Sequence, residues 1–351
     1  MAPSHRVVVV GAGPAGFYAT DALLQEGFEV DLLDALPTPF GLVRAGVAPD
    51  HPKIKRVTRA YERVARRPGF RFFGGVRLGA DIHRDELLAR YHAVVYAFGA
   101  MADRRLGIPG EELAGSHAAT EFVAWYNGHP DHADRSFDLS ARRAVVVGNG
   151  NVALDVARML VLDPAELATT DVADHALEAL ARARVEEVVV LGRRGPAQAS
   201  FTNPELLELG ELRDVDVVVE AADLALDPHS AAWLRSDAAD PTHRRNVEIL
   251  RDYAARPPRG ARRRIVFRFL RSPLAVIGDD GGAVAALRVG VNRLEPDPAR
   301  GTVRAVPTGA EETIPCGLVL RSIGYCGVPL PGVPFDARRG VIRNEGGRVI
   351  G

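Results

Sequence analysis

The sequence is poor in lysine and cysteine, and it has no long apolar run. Lys53 and Lys55 are its only lysines, so nearly all of its basic charge is arginine. The two cysteines, Cys316 and Cys326, form no C-x-x-C pair and are too few for a disulfide framework or an iron–sulfur ligand set. No apolar run approaches the roughly 18 residues that a membrane helix needs, and a net charge of −1 gives no basic field for nucleic acid. These absences predict a protein of a reducing cytoplasm, with no metal site, no membrane span and no nucleic-acid partner.

The N-terminal region contains a complete dinucleotide-binding pattern. A β-branched run at 7–10 leads into Gly11-Ala12-Gly13-Pro14-Ala15-Gly16, then an amphipathic helical pattern, then a second apolar strand that ends at Asp34. In this fingerprint the first glycine allows a tight turn, the second lets the backbone approach a pyrophosphate, and the third lets helix and strand pack closely. The helix N-terminus presents N–H groups to the anion, and an acid at the position of Asp34 can accept from a ribose hydroxyl. The alternative is a glycine-rich turn without a ligand.

A second fingerprint follows the apolar run at 142–147. It is Gly148-Asn149-Gly150-Asn151-Val152-Ala153, the variant with alanine in place of the third glycine. The next strand, 185–191, ends in Gly192-Arg193-Arg194-Gly195 instead of an acid. Guanidinium groups bind phosphate through two parallel hydrogen bonds, so the arginine pair favours a 2′-phosphate and hence NADP(H) over NAD(H). A solvated arginine pair in a turn is the alternative.

Two complete fingerprints with different closing residues predict two different dinucleotides. The acid of the first suits FAD, and the arginines of the second suit NADPH. The predicted chemistry is hydride transfer from the nicotinamide to the flavin ring.

The pattern along the chain predicts an α/β fold of two Rossmann-like dinucleotide-binding domains, with the second inserted into the first. A length of 351 residues fits about two domains. A late apolar strand at 318–323 ends in a Gly-Tyr-Cys-Gly turn, which resembles the Ala-Phe-Gly-Ala turn at 97–100. We therefore expect the chain to return to the first domain there. The predicted boundaries are 1–107 plus 316–351 for the FAD-binding domain and 108–315 for the NADP-binding domain.

Several long motifs resemble the adrenodoxin-reductase type of ferredoxin–NADP+ reductase, including its mycobacterial members. The resemblance covers nearly the whole chain and implies electron transfer from NADPH through FAD to a ferredoxin-type iron–sulfur protein. The motifs are LPTPFGLVRAGVAPDHPK at 36–53, GNGNVALDVAR at 148–158, GRRGP at 192–196, Phe201-Thr202 with Pro204-Glu205-Leu206, and FRFL at 267–270.

The resemblance also implies roles for individual residues. At FAD it places Ala15, Asp34, Leu42 and Leu78. At NADP it places Asn149 to Val152, Arg193, Arg194 and Glu205, and near the reacting rings it places His51 and Glu208 as catalytic groups. For His51 the alternative is an exposed loop histidine, and for the two glutamates it is a solvated acidic helix face.

Members of this family continue with a strand, a Gly-Trp pair and a Gly-Val-Ile-Gly-Thr-type segment that lies against the flavin ring. This sequence stops at Arg348-Val349-Ile350-Gly351 without them. The resemblance therefore implies a C-terminally shortened member, either a fragment or a natural short form, with an incomplete flavin-ring site.

Two kinds of surface segment complete the predictions. Arg262, Arg263 and Arg264 form a basic run. They are predicted to dock an acidic ferredoxin, because rim charges accelerate encounter; a solvated loop is the alternative. The Asp- and Pro-rich stretches 227–242 and 295–301 are predicted as surface loops.

Three functions remain open at this point. The first is a ferredoxin–NADP+ reductase, which the lack of a C-x-x-C dithiol favours over a thioredoxin-reductase-like enzyme. The second is the NADPH-dependent flavoprotein module of a larger oxidoreductase. The third is a nucleotide-binding protein without catalysis, because the flavin-ring segment is absent. Flavin content and NADPH oxidation separate the third from the other two.

Overall fold

The computed structural model describes residues 5–100, 102–299 and 301–351. The chain divides into two compact units, Met1–Arg104 with Gly324–Gly351, and Arg105–Ile323. It therefore leaves the first unit once and returns to it once. Within the described ranges, no helix combines the length and the apolar character needed to cross a membrane.

The helices and strands follow one another closely along both units. In chain order as far as the second glycine loop they are β1 (Arg6–Val10), α1 (Pro14–Gln25), β2 (Glu29–Asp34), α2 (Leu42–Ala45), α3 (Pro52–Lys55), α4 (Thr58–Ala65), β3 (Phe70–Gly74), α5 (Arg84–Arg90), β4 (Ala93–Tyr96), β5 (Ala102–Asp103), β6 (Ser116–Ala118), α6 (Ala119–Tyr126) and β7 (Arg143–Val147). After that loop they are α7 (Asn151–Val161), α8 (Pro164–Leu167), α9 (Asp174–Ala181), β8 (Glu187–Leu191), α10 (Asn203–Glu208), β9 (Val215–Val219), α11 (Pro228–Arg235), α12 (Pro241–Ala255), β10 (Arg263–Arg268), β11 (Arg271–Gly278), β12 (Val284–Asp297), β13 (Thr302–Pro315), β14 (Leu318–Arg321), β15 (Tyr325–Cys326), β16 (Phe335–Asp336), β17 (Val341–Ile342), β18 (Asn344–Glu345) and β19 (Arg348–Val349).

The first unit is built on a four-stranded parallel sheet in the order β3-β2-β1-β4. Its central strand is a run of valines, as is typical of strands buried on both faces. Val9 packs with Phe17 of α1 on one face, and Val8 packs with Leu87 of α5 on the other. The helices therefore cover both faces of the sheet, and the glycine loop emerges at its carboxyl edge.

The second unit has three layers. Its six-stranded parallel sheet has the order β6-β14-β7-β8-β10-β9, and a separate antiparallel sheet has the order β11-β12-β13. Val146 and Val188 face a core shared with α6, α7, α9, α10 and α12. Val145 and Val189 face the opposite way and pack with Leu287 of the antiparallel sheet. One face is thus covered by helices and the other by a sheet.

Strand β14 corrects the predicted domain boundary at 316. It pairs in parallel with both β6 and β7, so it lies inside the sheet of the second unit. Its four residues are all buried, and the wider sheet supplies neighbours on both sides. The chain re-enters the first unit only at Gly324, where β15 pairs with β5. The predicted boundary at 107 likewise lies after the end of the first segment of that unit at Arg104.

The stretch 227–242, predicted as a surface loop, contains α11 and the start of α12. The carboxylates of Asp227 and Asp240 accept hydrogen bonds from backbone N–H groups in the first turns of these helices, at 3.0 Å and 2.7 Å. Each is an N-cap followed by proline at the first helical position, which is a signal for a helix start. In the stretch 295–301, residues as far as Asp297 belong to β12, so that loop prediction is also wrong in part.

Candidate functional site

The first glycine loop joins β1 to α1 and is shaped by close backbone contacts. Gly11 has a φ of 107°, and a Cβ there would lie 2.5 Å from the Cα of Phe98. A Cβ at Gly16 would lie 1.9 Å from the carbonyl oxygen of Gly11, so only glycine lets α1 start this close to β1. A Cβ at Gly13 would meet nothing closer than the Cα of Gly41 at 3.9 Å among the described residues. The second glycine therefore leaves room for a ligand, as a pyrophosphate requires.

Helices α1 and α7 begin without a capping side chain. Their N-caps are Gly13 and Gly150, and neither helix start has a side-chain cap hydrogen bond. In contrast, aspartates cap α8, α11 and α12. First-turn N–H groups and the helix dipole suit an anion at such an end. Helix α2 also starts at a glycine, Gly41, but it has only four residues. The starts of α1 and α7, each directly after a glycine loop, are therefore the candidate phosphate sites.

Asp34, the last residue of β2, binds the glycine loop that precedes it. One carboxylate oxygen accepts from the N–H of Ala12 at 2.7 Å, and the other accepts from the N–H of Leu36 at 2.9 Å. Each carboxylate oxygen can accept more than one hydrogen bond. Asp34 can therefore hold the loop in shape and still accept from a ribose hydroxyl.

The segment Phe40-Gly41, for which no role was predicted from the sequence, braces the same loop. The N–H of Phe40 donates to the carbonyl of Ala12 at 2.8 Å, and a Cβ at Gly41 would lie 2.8 Å from the Cα of Gly13. Phe40 has a φ of 93°, a strained value for a residue with a side chain. Its ring packs against that of Phe17, with centroids 5.5 Å apart, which helps to stabilise this conformation.

The other residues implied at FAD lie in different environments. Leu42 is 61% exposed directly after Gly41, and Ala15 is exposed in the first turn of α1. Leu78 is buried and packs in the core on the other face of the sheet. His51 is only 9% exposed, so the alternative of an exposed loop histidine does not hold. Its backbone starts α3 by accepting from the N–H of Ile54 at 3.1 Å.

In the second glycine loop, as in the first, the first glycine is in close backbone contact and the second has more space. Gly148 has a φ of 137°, and a Cβ there would lie 2.0 Å from the carbonyl oxygen of Ser322, just after β14. Gly150 has more room, because the nearest described atom to its Cβ position is the hydroxyl of Ser200 at 3.3 Å. Ala153, in the third position, is fully buried, so its methyl group belongs to the core.

The two asparagines of this loop connect it to the segment after β8. The carbonyl of Asn149 accepts from the N–H of Ser200 at 3.0 Å, and Oδ1 of Asn151 accepts from the N–H of Thr202 at 2.8 Å. Thr202 is the N-cap of α10. The helix that carries Glu205 and Glu208 is therefore tied to the glycine loop at its first residue.

Arg193 and Arg194 follow directly on β8 and Gly192; Arg193 is exposed and Arg194 is half-buried. No carboxylate among the described residues forms an ion pair with either of them. Burial, and then the charge of Arg193, lowers the pKa of Arg194. The cationic pair therefore costs free energy that a bound phosphate would offset.

The arginines next to this pair are already neutralised. Arg268 forms ion pairs with Asp223 at 3.2 Å and Glu312 at 2.8 Å. Arg271 forms an ion pair with Glu312 at 2.9 Å. Two acids thus balance two arginines here, and the unbalanced positive charge is concentrated on the turn after β8.

Glu205 and Glu208 both lie on α10 but have different surroundings. Oε2 of Glu205 is buried, and no described group is hydrogen-bonded to it. Oε2 of Glu208 lies 3.8 Å from Nη1 of Arg158, whose side chain is 1% exposed. Arg158 also donates to Asp155 at 2.9 Å. Glu205 is therefore not on a solvated face, and Glu208, although its side chain is 42% exposed, lies beside a buried arginine that no sequence pattern indicated.

Fewer arginines of the basic run 262–264 are available to a docking partner than predicted. Nη1 of Arg263 donates to the last carbonyls of α7 at 2.9 Å and 3.0 Å, and Arg264 is ion-paired with Glu187. Arg262 is exposed. It lies beside an open cavity of about 640 Å³ whose lining also includes Arg142. Only Arg262 of the three therefore presents a side chain without a described partner.

Comparison with known proteins places the chain among flavin and nicotinamide enzymes. The family described as pyridine nucleotide-disulphide oxidoreductase matches residues 5–194. The chain is 51% identical to the NADPH-ferredoxin reductase FprA of Mycobacterium leprae, over 99% of this chain and 76% of that relative. It is 43% identical to the mitochondrial NADPH:adrenodoxin oxidoreductase of Arabidopsis thaliana, over 99% and 73%. The solved structure of Mycobacterium tuberculosis FprA in complex with NADPH matches with a TM-score of 0.94 and 50% identity, over 99% of this chain and 77% of that one.

Proposed function

Because the chain belongs to the pyridine nucleotide-disulphide oxidoreductase family, and within it to the ferredoxin reductases of adrenodoxin-reductase type, we propose that it transfers electrons from NADPH through FAD to a ferredoxin-type iron–sulfur protein. The observation that carries the proposal from the geometry is the arginine turn after β8. The exposed Arg193 and the half-buried Arg194 have no ion-paired acid among the described residues, and such a pair after the second glycine loop suits a nucleotide with a 2′-phosphate.

The first unit holds FAD in this proposal. The N-terminus of α1 and the open space at Gly13 take the pyrophosphate, and Asp34 takes a ribose hydroxyl. Ala15 and Leu42 are exposed next to this loop and contact the cofactor through their side chains. Leu78 contacts it only through its backbone, because its side chain is in the core. When bound, FAD supplies a ring that accepts two electrons together and releases them singly, which suits a one-electron acceptor.

The second unit holds NADPH. Gly148 and Gly150 shape the loop, the N-terminus of α7 takes the pyrophosphate, and Arg193 with Arg194 takes the 2′-phosphate. The buried Oε2 of Glu205 accepts a hydrogen bond from the nucleotide.

We assign His51 and Glu208 to the chemistry near the reacting rings. The imidazole of His51 has both a hydrogen-bond donor and an acceptor position, and its burial keeps it oriented. Glu208 is held beside the guanidinium of Arg158. Substitution of either is expected to lower the rate of flavin reduction more than the affinity for NADPH.

Arg262 is our candidate for contact with the acidic iron–sulfur protein. Replacing it with serine should slow reduction of ferredoxin at low salt and have less effect at high salt, because rim charges act mainly on encounter. Arg338→Ser, at an exposed position of the other unit, is the charge-matched control. Equal slowing by both variants would contradict docking at Arg262.

The decisive experiment is the visible absorption spectrum of the purified chain, taken before and after adding FAD and then NADPH without oxygen. We expect a bound flavin band that bleaches with NADPH and bleaches much less with NADH at the same concentration. Reoxidation by a ferredoxin completes the test. Failure to retain flavin with FAD in excess would contradict the proposal and leave a nucleotide-binding protein without catalysis.

A further inference from the structure

We propose that Asn292 is a positioning residue for nucleotide selectivity, because it holds the arginine turn in the shape that receives a 2′-phosphate. It lies on β12, is 4% exposed, and is 99 residues away from Arg193 in the chain. The inference rests on the proposed function, since it concerns the turn assigned there to the phosphate.

The side-chain amide of Asn292 bridges two elements. Its Nδ2 donates to the carbonyl oxygen of Arg193 at 2.9 Å and to the hydroxyl of Ser272 at 2.8 Å. A backbone carbonyl can only accept, so the nitrogen and not the oxygen of the amide must face Arg193. The backbone N–H of Asn292 donates to the carbonyl of Leu270 at 2.8 Å, so the main chain of Asn292 is held as well as its side chain.

Three consecutive carbonyl groups of the arginine turn are each held by one donor. The N–H of Arg271 donates to Gly192 at 3.0 Å, and the N–H of Leu270 donates to Arg194 at 3.1 Å. The carbonyl between them, that of Arg193, is held by Asn292. Of these three carbonyls, that of Arg193 is the one that accepts from a side chain. A substitution can therefore remove its hydrogen bond, whereas the other two donors belong to the backbone.

An irregularity in the antiparallel sheet places Asn292 at this position. Gly290 pairs with Glu311 and Asn292 with Pro307, so residues 308–310 of β13 lie opposite the single residue Val291. Extra residues of this kind redirect a strand and its side chains, and they recur next to functional sites. Leu270, at the corner between β10 and β11, has a φ of 57°, a further departure from regular geometry at the same place.

The arginine turn needs such support because its two side chains repel each other. The charge of Arg193 is one of the two causes that lower the pKa of Arg194. Without the bond to Asn292, rotation of the peptide after Arg193 would let the guanidiniums separate. They would then no longer converge on one phosphate, whereas contacts to the rest of the nucleotide would be unchanged.

The test uses the whole chain and two small probes, adenosine 2′,5′-bisphosphate and adenosine 5′-monophosphate, with affinities measured by calorimetry. For Asn292→Ala we expect the Kd of the bisphosphate to rise about tenfold, and that of the monophosphate to change by less than about twofold. Ser272→Ala is the matched control, because it removes the other partner of the same amide. It should change both affinities by less than about twofold.

Asn292→Leu keeps the volume of the side chain but removes the donor, so it replaces the alanine variant if that variant does not fold. Asn292→Gln, which retains an amide donor, should recover part of the lost bisphosphate affinity. An equal loss for both probes would overturn the inference, as would unchanged selectivity in the folded leucine variant. A parent chain that binds both probes equally would instead contradict the assignment of Arg193 and Arg194 to a 2′-phosphate.

Discussion

The two units share a strand, glycine loop and helix, and they differ in the residues that follow the next strand of each sheet. In each, a valine-rich strand leads through a glycine loop to a glycine-capped helix, and the first glycine is required by a distant segment, Phe98 in one and Ser322 in the other. In the first unit the closing acid, Asp34, is bonded to its own loop. In the second, the closing pair of arginines has no acid among the described residues. In our proposal the backbone provides a place for a dinucleotide, and the residues after the second strand select which one.

The largest effect is expected from the third glycine of the first loop. Gly16→Ala would place a methyl group 1.9 Å from the carbonyl oxygen of Gly11, which must destabilise the first unit by roughly 3 kcal/mol or more. Gly13→Ala has room for its methyl group within the protein and should leave the unit folded, but it should weaken FAD binding. Thermal unfolding and flavin titration of both variants check this. Equal loss of stability in the two variants would refute the separate roles of the two glycines.

The next effect concerns the arginine turn. Arg194→Ala should weaken NADPH about a hundredfold, because it removes a charged donor to a dianion, and it should change NADH by less than about twofold. Titration of each nucleotide against the chain measures both values. A similar loss for NADPH and NADH would mean that Arg194 supports the fold and does not select the nucleotide.

Asp34→Asn tests the closing residue of the first unit. The carboxylate of Asp34 accepts hydrogen bonds from the N–H groups of Ala12 and Leu36. In the asparagine variant one of these N–H groups would lose its acceptor, and the loop would loosen. We expect FAD affinity to fall about tenfold and the affinity of the second unit for adenosine 2′,5′-bisphosphate to stay the same. Unchanged FAD affinity, measured by equilibrium dialysis, would show that Asp34 contributes neither to the loop nor to the ribose.

The smallest effect is a pH dependence in the second unit. Burial, opposed by Glu121 and assisted by Arg135 and Arg321, lowers the pKa of His117 from its ordinary value of 6.5. The unfolded chain therefore takes up a proton before the folded one, so stability is fully present above about pH 6.5 and declines as the pH falls below it. His117→Gln should reduce this decline. Urea unfolding at pH 7 and pH 5 measures it, and an identical pH slope in the variant would exclude His117 as a cause.

Elements defined by neighbouring residues were predicted well. The valine runs, the glycine loops and their helices lie within one or a few residues of the predicted positions, because parallel strands buried on both faces have a continuous apolar pattern. The wrong predictions concern segments whose amino-acid composition is compatible with two different structures. Asp-Pro pairs indicate loops by composition, yet Asp227 and Asp240 start helices. Strand β14 has the same pattern whichever sheet receives it, and its pairing with β6 and β7 assigned it to the second unit.

The local order of residues was enough to predict two glycine loops for dinucleotides, because each loop is a continuous stretch whose conformation depends on its near neighbours. The acid after the first loop and the arginines after the second remain predicted contacts of the nucleotides. The folded chain alone determined that Phe40 and Gly41 brace the first loop, that Arg158 is buried beside Glu208, and that Asn292 reaches the carbonyl of Arg193. These contacts join residues far apart in the chain. Their contribution depends on burial and on donor geometry, and both arise only when separate strands and helices are packed together.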